Sequence, residues 1–194
     1  LAGRFGAGRE LDIYYAAFQI PDFISVMFLL GAGSAAILPV FQGYIRDDPS
    51  KARNLLSRMS TLFIISATLC GALAFLAAPL LARMIAPGFS ESDRLTLLVL
   101  MRIMLASPIL LGLSSIFSAA LQSFERFFAY ALAPILYNLG IITGALFFVR
   151  WWGLAGLAVG VVLGALLHML IQLASLRSLN FIPYPVVRGL DQDV

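Results

Sequence analysis

The chain has 194 residues, 61% of them hydrophobic and 12% charged, with 13 Lys and Arg against 10 Asp and Glu for a formal net charge of +3. Ordinary soluble domains carry about twice that charged fraction, so this composition excludes a water-soluble globule and points to lipid as the solvent. The positive charge is scattered with no Lys or Arg stripe, which excludes nucleic acid as a partner.

In chain order, Leu1–Glu10 is a Gly-rich lead-in containing Phe5-Gly6-Ala7-Gly8, read as the stub of a preceding helix and a turn. The chain opens on Leu1 and shows no basic segment followed by an apolar one, so no signal peptide is expected and an N-terminal truncation is. Leu11–Tyr44 follows, too long for one ordinary crossing: as straight helix it reaches roughly 50 Å against a hydrocarbon core of about 30 Å. It holds Asp12, Asp22 directly after Pro21, and closely spaced glycines. A proline removes a backbone donor, and a carboxylate in a membrane is costly unless it faces water or a partner. The stretch therefore reads as a kinked cavity wall.

Ile45–Arg58 is the most polar piece, with Asp47-Asp48-Pro49-Ser50 marking a turn and a new helix start. Met59–Ala82 carries no charge and is long enough for one crossing. Arg83 and the turn Ala86–Asp93 end it. Further crossings are expected at Leu95–Gln122, with Arg102 in its first turns and Pro108 inside, then Phe127–Val149, with Pro134 and Asn138, and Leu154–Leu176. Arg150-Trp151-Trp152 fits a membrane interface. Residues 177–194 turn polar and read as a connector to a further lobe. The expected fold is all-α, a single polytopic membrane domain over 1–194 with five spans (11–44, 59–82, 95–122, 127–149 and 154–176), since a membrane span must satisfy its backbone internally. Gly140 and Gly144, then Gly156, Gly160 and Gly164, supply faces for close helix approach. The concentration of Arg46, Lys51, Arg53 and Arg58 near helix ends places that loop on the cytoplasmic side.

No catalytic constellation is visible, and no enzyme activity, cofactor or metal is expected. His168 and Cys70 are the sole members of their types and lie on different segments, leaving no zinc set. Gly31-Ala32-Gly33-Ser34 lacks the Lys of a phosphate loop. Asp12 reads as a cavity carboxylate or an interfacial cap. Asp22 reads as a cavity group, or as one held by local backbone donors at the kink. Arg102 meets an anionic head or snorkels to the interface. His168 titrates in a pathway or hydrogen-bonds to a neighbouring helix. Asn138 satisfies carbonyls near Pro134, bridges helices or binds substrate.

Taken together, Phe5–Gly8, the D-x-Y-x-A-A-F-x-I-P-D run of Asp12–Asp22 and the G-A-x-S-A-A-x-L-P-V run of Gly31–Val40 resemble the N-terminal lobe of the MurJ/MviN family. Ala86-Pro87-Gly88-Phe89, Ala120-Leu121 with Arg126-Phe127, and Ala133-Pro134-x-Leu136-x-Asn138 extend the likeness along nearly the whole chain. The resemblance implies a flippase of lipid-linked peptidoglycan precursor within the multidrug/oligosaccharidyl-lipid/polysaccharide exporter group. Such carriers have about fourteen helices in two pseudo-symmetric lobes, sit in the bacterial inner membrane and work by alternating access. It implies as partners the precursor, membrane lipids and a second lobe of the same protein. Of the family's acids Asp12 transfers directly. Many members carry adjacent arginines where this chain has Ser25 and Val26, an acid where it has Leu30, and Asn where it has Asp22. Ser25 is therefore counted with Asp12, Asp22, Arg102 and Asn138 among the cavity candidates. The alternatives are an exporter of another lipid-linked oligosaccharide and a non-transporting membrane scaffold.

Overall fold

The structure is a computed structural model that describes residues 8–31 and 34–186, with backbone alone for 29–31 and 34–40. The Phe5–Ala7 part of the lead-in, the Ala32-Gly33 pair, the side chain of Leu30 and the end of the connector from 187 lie outside the described residues. The described residues are helical and contain no strand. The helices are α1 (Arg9–Gly31), α2 (Ser34–Asp47), α3 (Pro49–Ile85), α4 (Glu91–Met104), α5 (Ala106–Ser123), α6 (Phe127–Thr143), α7 (Val149–Trp152) and α8 (Leu154–Ser178), with a π-helical turn at Gly144–Phe148. Four helical runs among the described residues are long and apolar enough to cross a membrane: Pro49–Ile85, Glu91–Ser123, Phe127–Trp152 and Leu154–Ser178. This is a multi-pass membrane protein.

Local chemistry sets the helix ends. At the start of α3 the Asp48 side chain accepts from the amides of Ser50 and Lys51, and Pro49 occupies the first turn, where its missing N–H costs nothing. Ser90 Oγ accepts from the Asp93 amide to open α4. Between α4 and α5 the ladder is interrupted at Leu105. Pro108 has no amide hydrogen to give the Met104 carbonyl, and the Ser107 hydroxyl donates to that carbonyl instead, at 2.7 Å. Gly153, at φ +54°, makes the left-handed turn that sends α8 back along α6.

Two apolar cores sit at opposite ends of the bundle. One gathers Ile13, Tyr14 and Ala17 of α1, Ala78 and Ala82 of α3, Leu97, Leu100, Met101 and Met104 of α4, and Leu157, Ala158 and Val161 of α8. The other gathers Phe41 of α2, Leu56 and Phe63 of α3, Phe117 and Leu121 of α5, and Leu176 and Phe181. The stretch beyond α8 lies along the start of α3. Arg53 Nε donates to the Ile182 carbonyl at 2.9 Å, and the amides of Tyr184 and Val186 donate to Ser57 Oγ and Thr61 Oγ1.

α8 is the organising helix, apolar around its whole circumference and packed by α6 on one side and by α5 and α4 on others. Against α6 the contact is backbone on backbone. A methyl group added at Gly144 would stand 2.7 Å from the Cα of Gly160, and one added at Gly140 or Gly164 would overlap the backbone opposite. The meeting pairs step four residues forward on one helix and four back on the other, which is the register of an antiparallel small-residue seam.

Candidate functional site

At about 100° per residue, Asp12, Tyr15, Gln19, Asp22, Phe23 and Val26 of α1 share one arc roughly 100° wide. All six are exposed, Phe23 by 67% and Val26 by 51%. The opposite arc, with Ile13, Tyr14, Ala17, Pro21 and Ile24, is buried against the bundle. α1 is thus a wall with one apolar side packed inward and one mixed side left open. That open side carries two carboxylates and an amide among apolar and aromatic groups.

Asp12 lies in the first turn of α1. Asp22 lies three turns further along and close to Tyr137 of α6. Its carboxylate has no hydrogen-bond donor or ion pair among the described residues. α1 continues as helix through Pro21, which is buried. Ser25, half-buried, donates its hydroxyl to the Pro21 carbonyl at 3.0 Å. Asn138 behaves in the same way on α6, its Nδ2 donating to the Pro134 carbonyl at 2.9 Å. In both cases the carbonyl that the proline deprives of a donor is the one four residues earlier, of Ala17 or Tyr130. The polar side chain reinforces the turn after the proline and leaves that deprived carbonyl alone.

Arg102 is turned toward α3. Its guanidinium lies over the Phe75 ring of α3, 4.6 Å from the centroid, and its Nε is buried with no hydrogen-bond partner among the described residues. His168 is tied across helices: Ser114 Oγ of α5 lies 2.7 Å from His168 Nδ1. One turn along the same contact, Ser118 Oγ donates to Gln172 Oε1 at 2.8 Å, and Gln172 is fully buried with its Nε2 unpaired. The structure therefore places Asp12 and Asp22 on one open surface, turns Ser25 and Asn138 toward their own helices, and turns Arg102 toward Phe75 of α3.

Sequence reading passed over the Ser118–Gln172 pair, although Gln172 is an uncharged amide in an otherwise apolar span. It also passed over Arg9. That side chain donates from Nε to Asp93 at 2.9 Å and from the guanidinium to the Gly88 carbonyl at 3.2 Å, and it covers the Phe89 ring at 4.1 Å. The clasp ties the start of α1 to the turn between α3 and α4, which gives Gly88 and Phe89 a structural task. Hydrogen bonding from Ser90, then from Arg9, holds the Asp93 carboxyl below its ordinary range. Hydrogen bonding from the Ser50 hydroxyl leads the same effect at Asp48. Among the described residues no three His, Cys, Asp or Glu gather as a metal-ion site.

The model of the family described as lipid II flippase MurJ matches residues 1–194. A probable lipid II flippase MurJ of Buchnera aphidicola subsp. Acyrthosiphon pisum is 33% identical over 193 residues, covering 95% of this chain and 37% of that relative. The lipid II flippase MurJ of Burkholderia cenocepacia is 29% identical over 190 residues, 94% of this chain and 36% of its own length. A solved structure of lipid II flippase MurJ in an inward closed conformation superposes with a TM-score of 0.75 at 24% identity, covering 95% of this chain and 39% of that one. That likeness establishes the fold. The chain spans a little over a third of the length of the relatives it matches.

Proposed function

The chain belongs to the lipid II flippase MurJ family, and from that premise we propose that it forms most of one lobe of a carrier for lipid-linked peptidoglycan precursor. The carrier moves its cargo from the inner to the outer leaflet of the bacterial inner membrane by alternating access, as a step in peptidoglycan biosynthesis. The lobe covers 1–194, with residues 177–194 leading to a second lobe in the length that this chain does not span.

The observation that carries the reading is the open arc of α1. Two carboxylates and an amide on one exposed helix face, in a bundle whose spans expose mostly large apolar side chains, are costly against lipid and cheap against a water-filled cleft. A second lobe set opposite that arc makes such a cleft. An anionic pyrophosphate head also needs fixed positive charge in a low-dielectric site, and the described part of the arc carries none. In this reading the cations come from the opposite lobe or from the helix whose stub precedes α1, while α1 shapes the cleft and orients sugar hydroxyls through Asp12, Gln19 and Asp22.

The test is complementation of a flippase-depleted bacterium by the whole protein. Growth is expected to be restored, and to fall at least about tenfold with Asp12→Ala, a loss of the size one buried polar contact carries. Failure of the unaltered protein despite verified membrane insertion would overturn this reading in favour of another lipid-linked oligosaccharide or a non-transporting scaffold.

A further inference from the structure

Outside the α1 arc, the polar start of α3 holds a pocket of about 360 Å³ lined by Tyr44 of α2 and by Lys51, Asn54, Leu55 and Arg58 of α3. The four α3 positions follow the i, i+3, i+4, i+7 pattern of a single helix face. Neither cation has an ion-pair partner among the described residues. Among the described residues the hydrogen-bond partner of Arg58 Nε is the neutral Asn54 Oδ1, at 3.3 Å. Asp48, the acid close enough to feel Lys51, is committed to the helix start, where the Ser50 hydroxyl and the amides of Ser50 and Lys51 donate to it. Two cations, an amide and a phenol thus converge with no anion among them.

Arg58 is also the last charged residue before the uncharged run that begins at Met59, so the pocket sits at the level where lipid headgroups lie. Deeper on α3, and turned partly round the helix from the pocket face, is a second concavity, of about 340 Å³ and almost wholly apolar. It is bordered by Thr61, Ile64 and Ile65 of α3, Leu113 of α5, Leu173 of α8 and Pro185 of the returning segment. Ile65 follows Arg58 by two helical turns, about 10 Å deeper on the same side of the helix. A cationic pocket at headgroup level, with an oily groove that opens beneath it at Ile65 and runs round the helix, has the outline of a phospholipid.

We infer that the α2–α3 pocket and the groove below it form a binding site for an anionic phospholipid. Lys51 and Arg58 take the phosphate, Tyr44 and Asn54 take the glycerol and headgroup hydroxyls, and one acyl chain passes Ile65 into the groove. Both headgroup classes present the phosphodiester to the charge-assisted hydrogen bonds, and the zwitterionic one is disfavoured because its quaternary ammonium is repelled by Lys51 and Arg58. A singly charged phosphodiester suits two cations that must also leave room for a second acyl chain in the bilayer.

The experiment is native mass spectrometry of the whole protein in detergent, titrated with phosphatidylglycerol or with phosphatidylcholine. Retained phosphatidylglycerol is expected to exceed phosphatidylcholine, and to drop at least about tenfold in the Lys51→Ala, Arg58→Ala double variant, the scale of one lost charge-assisted contact. Ile65→Trp, which fills the groove and keeps the charges, is expected to weaken retention as well. Arg46→Ala, an exposed cation on α2 outside the pocket, is expected to leave it unchanged. Equal retention of the two lipids, or unchanged retention in the double variant, overturns the site. Displacement by inorganic phosphate alone makes it an anion pocket, and displacement by a polyprenyl pyrophosphate at a lower concentration makes it a cargo site. Either result overturns the phospholipid assignment.

Discussion

The two sides of α8 hold their neighbours by opposite means. Toward α6 the contact is glycine on glycine, with Gly140, Gly144, Gly160 and Gly164 bringing backbones so close that no side chain fits between them. Toward α5 it is polar, with Ser114 reaching His168 and Ser118 reaching Gln172. Lipid explains why both occur. Apolar side chains gain nothing from leaving hydrocarbon for protein, so helices associate through tight van der Waals fit or through hydrogen bonds that have no water to compete with. The difference lies in tolerance. A seam of close approach fails when any atom is added, whereas a polar pair fails when one partner is lost and the other remains.

The largest effect is therefore expected at Gly164 or Gly140. Replacing either by Leu forces α6 and α8 apart, at a cost of about 3 kcal/mol or more, read as loss of the folded monomer in detergent by fluorescence-detected size exclusion. Normal folding of Gly140→Leu would break the contrast, because the seam would then have slack that the backbone distances deny.

A smaller and sign-dependent effect is expected at the polar side. Ser118→Ala removes the donor to Gln172 Oε1 and leaves a buried amide with neither end paired, costing about 1 kcal/mol in chemical unfolding from mixed micelles. Combined with Gln172→Leu, the cost should shrink toward zero, because no unsatisfied group remains. A double variant less stable than Ser118→Ala would show that the amide does more than pair with the serine.

The smallest effect is expected where hydrogen bonds compete with water, at the Arg9–Asp93 clasp. The folded state holds the Asp93 carboxyl below its ordinary value of 3.8. Its contribution is therefore present above that value and is lost as pH falls below it, through the lower folded value. Asp93→Asn should flatten this part of the acid limb when unfolding midpoints are followed downward from pH 6. An acid limb unchanged by the substitution would remove the clasp from the account.

Much of the architecture was legible beforehand. The all-α, polytopic class follows from uncharged runs such as Met59–Ala82, because only a helix satisfies its own backbone in lipid. The start of α3 was readable from Asp47-Asp48-Pro49-Ser50, since capping is a matter of neighbours in sequence. The ordered short motifs gave the family for the same reason: each is a local run that keeps its place in the chain. The glycines of α6 and α8 marked themselves by spacing alone.

Partner choice for polar side chains was not legible. Arg102 lies over Phe75, His168 meets Ser114, and Gln172 meets Ser118 because α3, α4, α5 and α8 are rotated and spaced so that these groups face one another. That rotation is set jointly by the glycine seam and the two end cores, neither of which is a property of a single helix. Lys51 and Arg58 share a face by periodicity, but they become a pocket only when α2 places Tyr44 beside them. In the same way, periodicity put Asp12, Gln19 and Asp22 on one arc of α1, and packing left that arc open. A repeat of 3.6 residues fixes which side chains stand together on a helix, whereas the bundle determines which of those faces is covered.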